Sequence, residues 1–231
     1  MELNSVIFPS PKSSYTEEEF KGLLIWIPRK LEFSYKDQIK YNNFRSLIPN
    51  QKSKILKENG IIQKVPKISF SFENKFKTEE TIIEEHIPCI LIKSTKSSKF
   101  LIYFHANYED LGQTYSFLQT LSSSLQINVL AVEYPGYGVY YSKSCSADII
   151  LQDATIIYKF LTNVMNMTED NIIVMGRCIG SGPSTYLASI HNPKALVLIS
   201  PFTSIKDAVK SIFDTTIIGW FAEKLISERY I

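Results

Sequence analysis

The stretch GRCIGSG, residues 176–182, sets one thiol, Cys178, among closely spaced glycines. It follows the apolar run NIIVM at 171–175 and opens the segment GSGPSTYLASI at 180–190. The pattern is that of a strand turning sharply into a helix. Such a turn exposes the side chain at its apex and aims it at the helix N-terminus, where backbone N–H groups can hold a developing oxyanion. Gly176 and Gly180 supply the small neighbours that this turn needs. A thiolate is a good nucleophile, and a helix N-terminus lowers a thiol's pKa. Other glycine-rich chemistries fit poorly. A phosphate-binding loop needs a Lys after the glycines, and Pro183 stands where a dinucleotide fingerprint has its third Gly.

Few other residues could take part. The histidines are His86, His105 and His191, and the cysteines are Cys89, Cys145 and Cys178. An odd cysteine count without framework spacing argues against disulfides and for a reducing, intracellular and cytoplasmic setting. No C-x-x-C or His/Cys cluster occurs, so no metal site is expected. A net charge of +2 is too small to imply a nucleic-acid partner. The N-terminus MELNSVIFPSPKSS lacks the basic and apolar regions of a secretory signal. The longest apolar runs fall far short of the roughly 20 residues of a membrane span.

The elements that must position Cys178 are regular from residue 87 onward. Strands are expected at 87–94, 99–107, 128–138, 171–176 and 195–200, and helices at 110–125, 147–161 and 180–190. Ser146 is placed to cap the second helix. Strands that are almost wholly apolar and alternate with helices indicate an α/β fold, a mostly parallel sheet covered on both faces. Upstream, GLLIWIP at 22–28 reads as a strand closed by Pro28, and 29–80 as a loosely structured insertion with a short helix near 51–58. Residues 1–80 are thus expected to form an N-terminal extension and 81–231 the core. A last helix, broken near Gly219, is expected over 204–226.

Four ordered motifs carry a resemblance: IYFHANYEDLGQTYSFLQTL, NVLAVEYPGYGVY, IIVMGRCIGSGPSTYLAS and ALVLISPFTSIKDAVKSI. Together they resemble the α/β-hydrolase superfamily, and most of all its small serine hydrolases, which include protein-depalmitoylating thioesterases. The resemblance implies a mostly parallel sheet carrying a nucleophile, an acid and a base, and no cofactor. It puts Cys178 at the nucleophile position and makes the backbone N–H of Ile179 one oxyanion donor. His105-Ala106-Asn107 matches the family's His-Gly-Asn turn, so the N–H of Asn107 becomes the second donor and the His105 side chain a brace for that turn. Glu109, Asp110 and EYPGYG become structural neighbours of the site. The implied substrate is an acyl ester or thioester, with peripheral membrane contact compatible.

The departures are specific. Cysteine stands for serine at 178, Ala106 for glycine in the oxyanion turn, where its Cβ is expected to restrict the backbone, and Tyr108 for a small residue. The family takes its acid and base from its last two strands, which this sequence is expected to lack. On a continuous helix His191 would lie roughly 18 Å from Ile179. His86 would sit about three strand spacings, ~14 Å, from the elbow. Three readings follow: an acyl ester or thioester hydrolase lineage whose triad is incomplete in this chain; a non-catalytic hydrolase-fold binding protein; and a cysteine hydrolase of the dienelactone type, whose motif is G-x-C-x-G.

Overall fold

Six apolar segments pair into one mixed sheet in the computed structural model, which describes residues 7–29, 86–141 and 145–204. They are β1 (Leu24–Pro28), β2 (His86–Ile92), β3 (Phe100–Phe104), β4 (Asn128–Val132), β5 (Ile172–Arg177) and β6 (Ala195–Ile199). Their order across the sheet is β1-β2-β4-β3-β5-β6. The four strands β4, β3, β5 and β6 run parallel, whereas β1 and β2 run antiparallel to their neighbours. Every residue of β3 and β4 is buried, which is why these strands read as unbroken apolar runs and not as alternating ones.

Three helices link the parallel strands: α1 (Leu111–Leu125), α2 (Ala147–Lys159) and α3 (Ser181–Ile190). Their starts follow from side-chain caps. Asp110 accepts from the Gln113 N–H at 3.0 Å, and Ser146 accepts from the Ile149 N–H at 3.3 Å. The chain after α2 continues through a π turn, Phe160–Val164, so the regular helix is shorter than the apolar pattern to Leu161 suggests.

Alternation along the strands splits the core between the two faces. Phe100, Ile102 and Phe104 pack with Ile150, Ala154 and Ile157 of α2 and Leu187 of α3. Leu101 and Tyr103 pack with Leu111 and Leu118 of α1. The N-terminal segment joins both cores, Ile7 and Phe8 entering the first, Tyr15 and Phe20 the second. The outermost strand of the described sheet, β6, leaves Leu196 and Val197 exposed. The helices expected near 51–58 and over 204–226, and the boundary expected at 80, fall on residues outside the described ones, save for Ser204.

Register decides what meets at the carboxyl ends of the strands. Phe104 pairs with Gly176 across β3 and β5, and with Val132 across β3 and β4. The residues that follow, His105–Asn107, Arg177–Cys178 and Glu133, are therefore brought together at one edge. In open α/β sheets that edge is where ligands bind.

Candidate active site

β5 ends at Arg177, a single 3-10 turn covers Cys178–Gly180, and α3 begins at Ser181. Cys178 itself takes φ 50°, in the left-handed region, and is exposed. A residue with a Cβ held there costs about 1–2 kcal/mol, so the surrounding contacts must hold it. They are visible. The Ser181 hydroxyl donates to the Cys178 carbonyl at 2.6 Å, and the Ser184 hydroxyl to the Gly180 carbonyl at 2.8 Å. A Cβ on Gly176 would overlap the Gly180 carbonyl, and one on Gly180 would overlap the carbonyl of Phe104. Both glycines are required by close approach, whereas Gly182 has open space around it.

Beside the elbow lies the turn His105-Ala106-Asn107, fixed by buried polar groups. His105 is fully buried. Its Nδ1 meets the Ala106 carbonyl at 2.8 Å and its Nε2 meets Glu133 Oε1 at 2.8 Å. A carbonyl only accepts, so Nδ1 is the donor to Ala106, and Nε2 faces the Glu133 carboxyl. Glu133, also fully buried, accepts further from the Leu111 N–H at 3.1 Å, the Tyr134 N–H at 3.2 Å and the Tyr15 hydroxyl at 2.8 Å. The Tyr134 hydroxyl donates to the His105 carbonyl at 2.8 Å. Both ring nitrogens of His105 are thus committed, and the side chain braces the turn.

Two more links tie the turn to its surroundings. Glu109 accepts from the Ala106 N–H at 3.2 Å and pairs with Arg177, which directly precedes Cys178. Asn107 donates from Nδ2 to the Ile7 carbonyl at 2.7 Å and accepts at Oδ1 from the Tyr137 hydroxyl at 2.9 Å. Neither Ala106 nor Asn107 has a positive φ. The restriction expected from alanine in place of glycine therefore does not arise, because this turn does not use the left-handed region at 106. Tyr108 points outward and is largely exposed.

The other histidines lie away from the elbow: His86 is at the same edge, since β2 runs antiparallel to β4, but β4 and β3 stand between β2 and β5, and His191 is at the far end of α3. His86 opens β2 and pairs in register with Pro28 of β1. His191 closes α3, stacked on Tyr158 at 4.1 Å and 3.5 Å from Glu169. Next to the elbow an apolar groove of about 390 Å³ runs between α2 and α3, lined among others by Phe8, Ile150, Leu151, Ile179, Pro183 and Phe202.

The sequence placed Glu133 beside the site as part of EYPGYG but not as the partner of His105, and it did not single out Tyr15, Arg29 or Asp153. Glu133 gave a signal, a carboxylate ending an apolar strand, which must be paired once buried. Tyr15 gave none, since residues 7–20 show no periodicity. Arg29 and Asp153 form a further pair at 2.7 Å, with the Tyr140 hydroxyl donating to Asp153 at 3.0 Å. Burial pushes the Asp153 carboxyl up to about 6 despite the opposing pull of Arg29.

No protein-family model matches the chain. Among curated proteins it is 34% identical over 135 residues to the α/β-hydrolase domain-containing protein aho-3 of Caenorhabditis elegans, covering 58% of this chain and 40% of that protein. It is 31% identical over 125 residues to the human α/β-hydrolase domain-containing protein 17C, covering 54% of this chain and 38% of the relative. The described segment is an α/β-hydrolase core. Similar solved structures include an α/β hydrolase from Vibrio vulnificus, 20% identical with a TM-score of 0.49, covering 60% of this chain and 51% of that one. Another is the Pyrococcus furiosus esterase Pf2001, 16% identical with a TM-score of 0.48, covering 61% and 56%. The chain spans about 40% of the length of the curated relatives that it matches. Within this α/β-hydrolase core, no described helix is long and apolar enough to cross a membrane.

Proposed function

We propose that the chain carries the nucleophile half of an acyl ester or thioester hydrolase site, with Cys178 attacking and the backbone N–H groups of Asn107 and Ile179 receiving the oxyanion. The observation that carries this reading is the exposed thiol at φ 50° on the strand-to-helix turn. Strain of this kind persists only where the surroundings enforce it, and it clusters at reactive positions. The groove beside Ile179 has the volume and apolar lining for an acyl chain. That supports the substrate class implied by the resemblance, with S-acylated protein as its narrower form.

In the first step the Cys178 sulfur adds to the acyl carbonyl carbon, and the carbonyl electron pair moves onto oxygen. Collapse breaks the bond to the leaving alkoxide or thiolate, which departs with the proton that the thiol released. Hydrolysis then needs water to attack the S-acyl group with a base to take its proton. His105 is not available for that task, because both of its nitrogens are engaged and it is fully buried. This one fact favours a second reading, in which the site accepts or binds acyl groups without turning them over.

The test is an activated nitrophenyl acyl ester added to the purified chain. The expected result is one equivalent of nitrophenolate, an acyl adduct on Cys178 by peptide mass, and loss of both in Cys178→Ala. Cys89 and Cys145 are buried, and burial first, then Asp153, pushes the Cys145 thiol up to about 12, so neither should label. Labelling elsewhere, or at the rate of a free cysteine, would refute the reading. Steady turnover would remove the second reading.

A further inference from the structure

We propose that residues 7–15 form a strap that sets the oxyanion turn, with Tyr15 a positioning residue acting through Glu133 and His105. The inference rests on the reading of Cys178 and Asn107 given above.

The strap is anchored at three points on the site's own supports. The Ile7 carbonyl accepts from the Asn107 side chain at 2.7 Å, directly at the turn. Ser14 donates twice to Asp110, the cap of α1, from its hydroxyl and from its N–H at 2.6 Å. Tyr15 donates to Glu133 at 2.8 Å in a fully buried environment. The seating is close enough to depend on two glycines. A Cβ on Gly112 would overlap Ser14 Oγ, and one on Gly138 would overlap the Glu133 carboxylate and crowd the Tyr15 ring. Burial and the adjoining Glu133 both raise the Tyr15 hydroxyl pKa, so it stays a donor.

The transmission route is a chain of hydrogen bonds. Glu133 Oε2 is shared by Tyr15 and the Leu111 N–H, while Oε1 holds His105 Nε2. Without the Tyr15 hydroxyl, a buried carboxylate loses one of its donors and must lean on those that remain. The imidazole follows Glu133, and the Ala106 carbonyl follows the imidazole through Nδ1. The peptide moved is the one adjoining Asn107. A shift of about 1 Å in such a donor costs up to about 100-fold in rate.

Two reactions of Cys178 separate positioning from plain structure. Acylation by a nitrophenyl ester passes through an oxyanion, whereas alkylation by iodoacetamide does not. The ratio of their rates, read on Cys178 by mass, therefore reports the turn alone. In the unaltered chain this ratio should exceed that of a free cysteine by tenfold or more. Tyr15→Phe should lower it by roughly tenfold with alkylation unchanged. Ser14→Ala, which loosens the same strap without emptying buried volume, should lower it severalfold and keeps the test alive if Tyr15→Phe does not fold. A raised ratio that both variants leave intact overturns the strap. A ratio equal to that of free cysteine overturns the site reading beneath it.

Discussion

The left-handed backbone at Cys178 makes a sign-reversing prediction. At an ordinary position, replacing Ala by Gly destabilises a protein by about 0.5–1 kcal/mol, because glycine loses more freedom on folding. At φ 50° the balance changes. A residue with a Cβ stores about 1–2 kcal/mol there, which glycine does not. Cys178→Ala keeps the strain and serves as the reference, since the exposed thiol gives up little packing. Cys178→Gly should therefore be more stable than Cys178→Ala by about 0.5–1 kcal/mol, although both abolish the chemistry. Urea unfolding of the two variants, with equal m-values, measures the difference. A Gly variant less stable than the Ala variant by the ordinary amount would show that no strain is stored at the elbow. The argument for an enforced, reactive geometry would fall with it.

Three further outcomes are expected. Gly180→Ala drives a methyl into the Phe104 carbonyl, and should cost about 1–3 kcal/mol or more and slow acylation of Cys178. Gly182→Leu meets no obstacle on α3 and fills the groove, so it should hold or raise thermal stability by up to about 1 kcal/mol while selectively slowing acylation by long-chain over short-chain esters. Equal slowing of both would place the acyl chain elsewhere. The third concerns pH. Asp153 has its carboxyl raised from 3.8 to about 6 by burial, so the native state binds that proton more tightly than the unfolded chain. Its stabilising share is full below about pH 4 and is lost as pH rises through about 6, a change of about 3 kcal/mol. The difference in unfolding free energy between the unaltered chain and Asp153→Asn should fall by that order between pH 4 and pH 7. A rise would show that the pairing with Arg29 outweighs burial.

What was readable from sequence was whatever the backbone enforces locally. The parallel strands were legible because burial on both faces leaves unbroken apolar runs, as in FLIYF and NVLAV. The start of α2 was legible because Ser146 caps it, and the turn at 176–180 because only glycine tolerates the contacts at both flanks. The antiparallel pairing of β1 with β2 was not legible. More than fifty residues separate the two strands, and periodicity carries no direction. The expected restriction at Ala106 was wrong for a related reason. Residue type suggested a glycine-like conformation, but the hydrogen bonds that Ala106 makes to the Glu109 carboxylate and with His105 shape the turn without one. The strap was invisible because Ser14 and Tyr15 act on Asp110 and Glu133 across 96 and 118 residues, and no local pattern encodes such contacts.

The way the site is built separates the placing of the nucleophile from its turnover. Cys178 is held by backbone contacts of Gly176, Gly180 and Phe104, and by the hydroxyl of Ser181, none of which titrates near neutrality. The turn beside it is held by a carboxylate whose donors are a tyrosine, an imidazole and two backbone N–H groups. The histidine that follows the adjoining strand β3 is one of those supports. Recruiting it would break the Glu133 contact and leave a buried carboxylate short of a donor, at a cost of about 1–3 kcal/mol or more. Under the proposed function, the scaffold serves the first half of acyl transfer, addition of sulfur to a carbonyl, and assigns no described group to the second. In the proposed reading, ordering the nucleophile and donating to the oxyanion fall to this sheet edge. Accepting a proton from water has to come from a group that is not already structural.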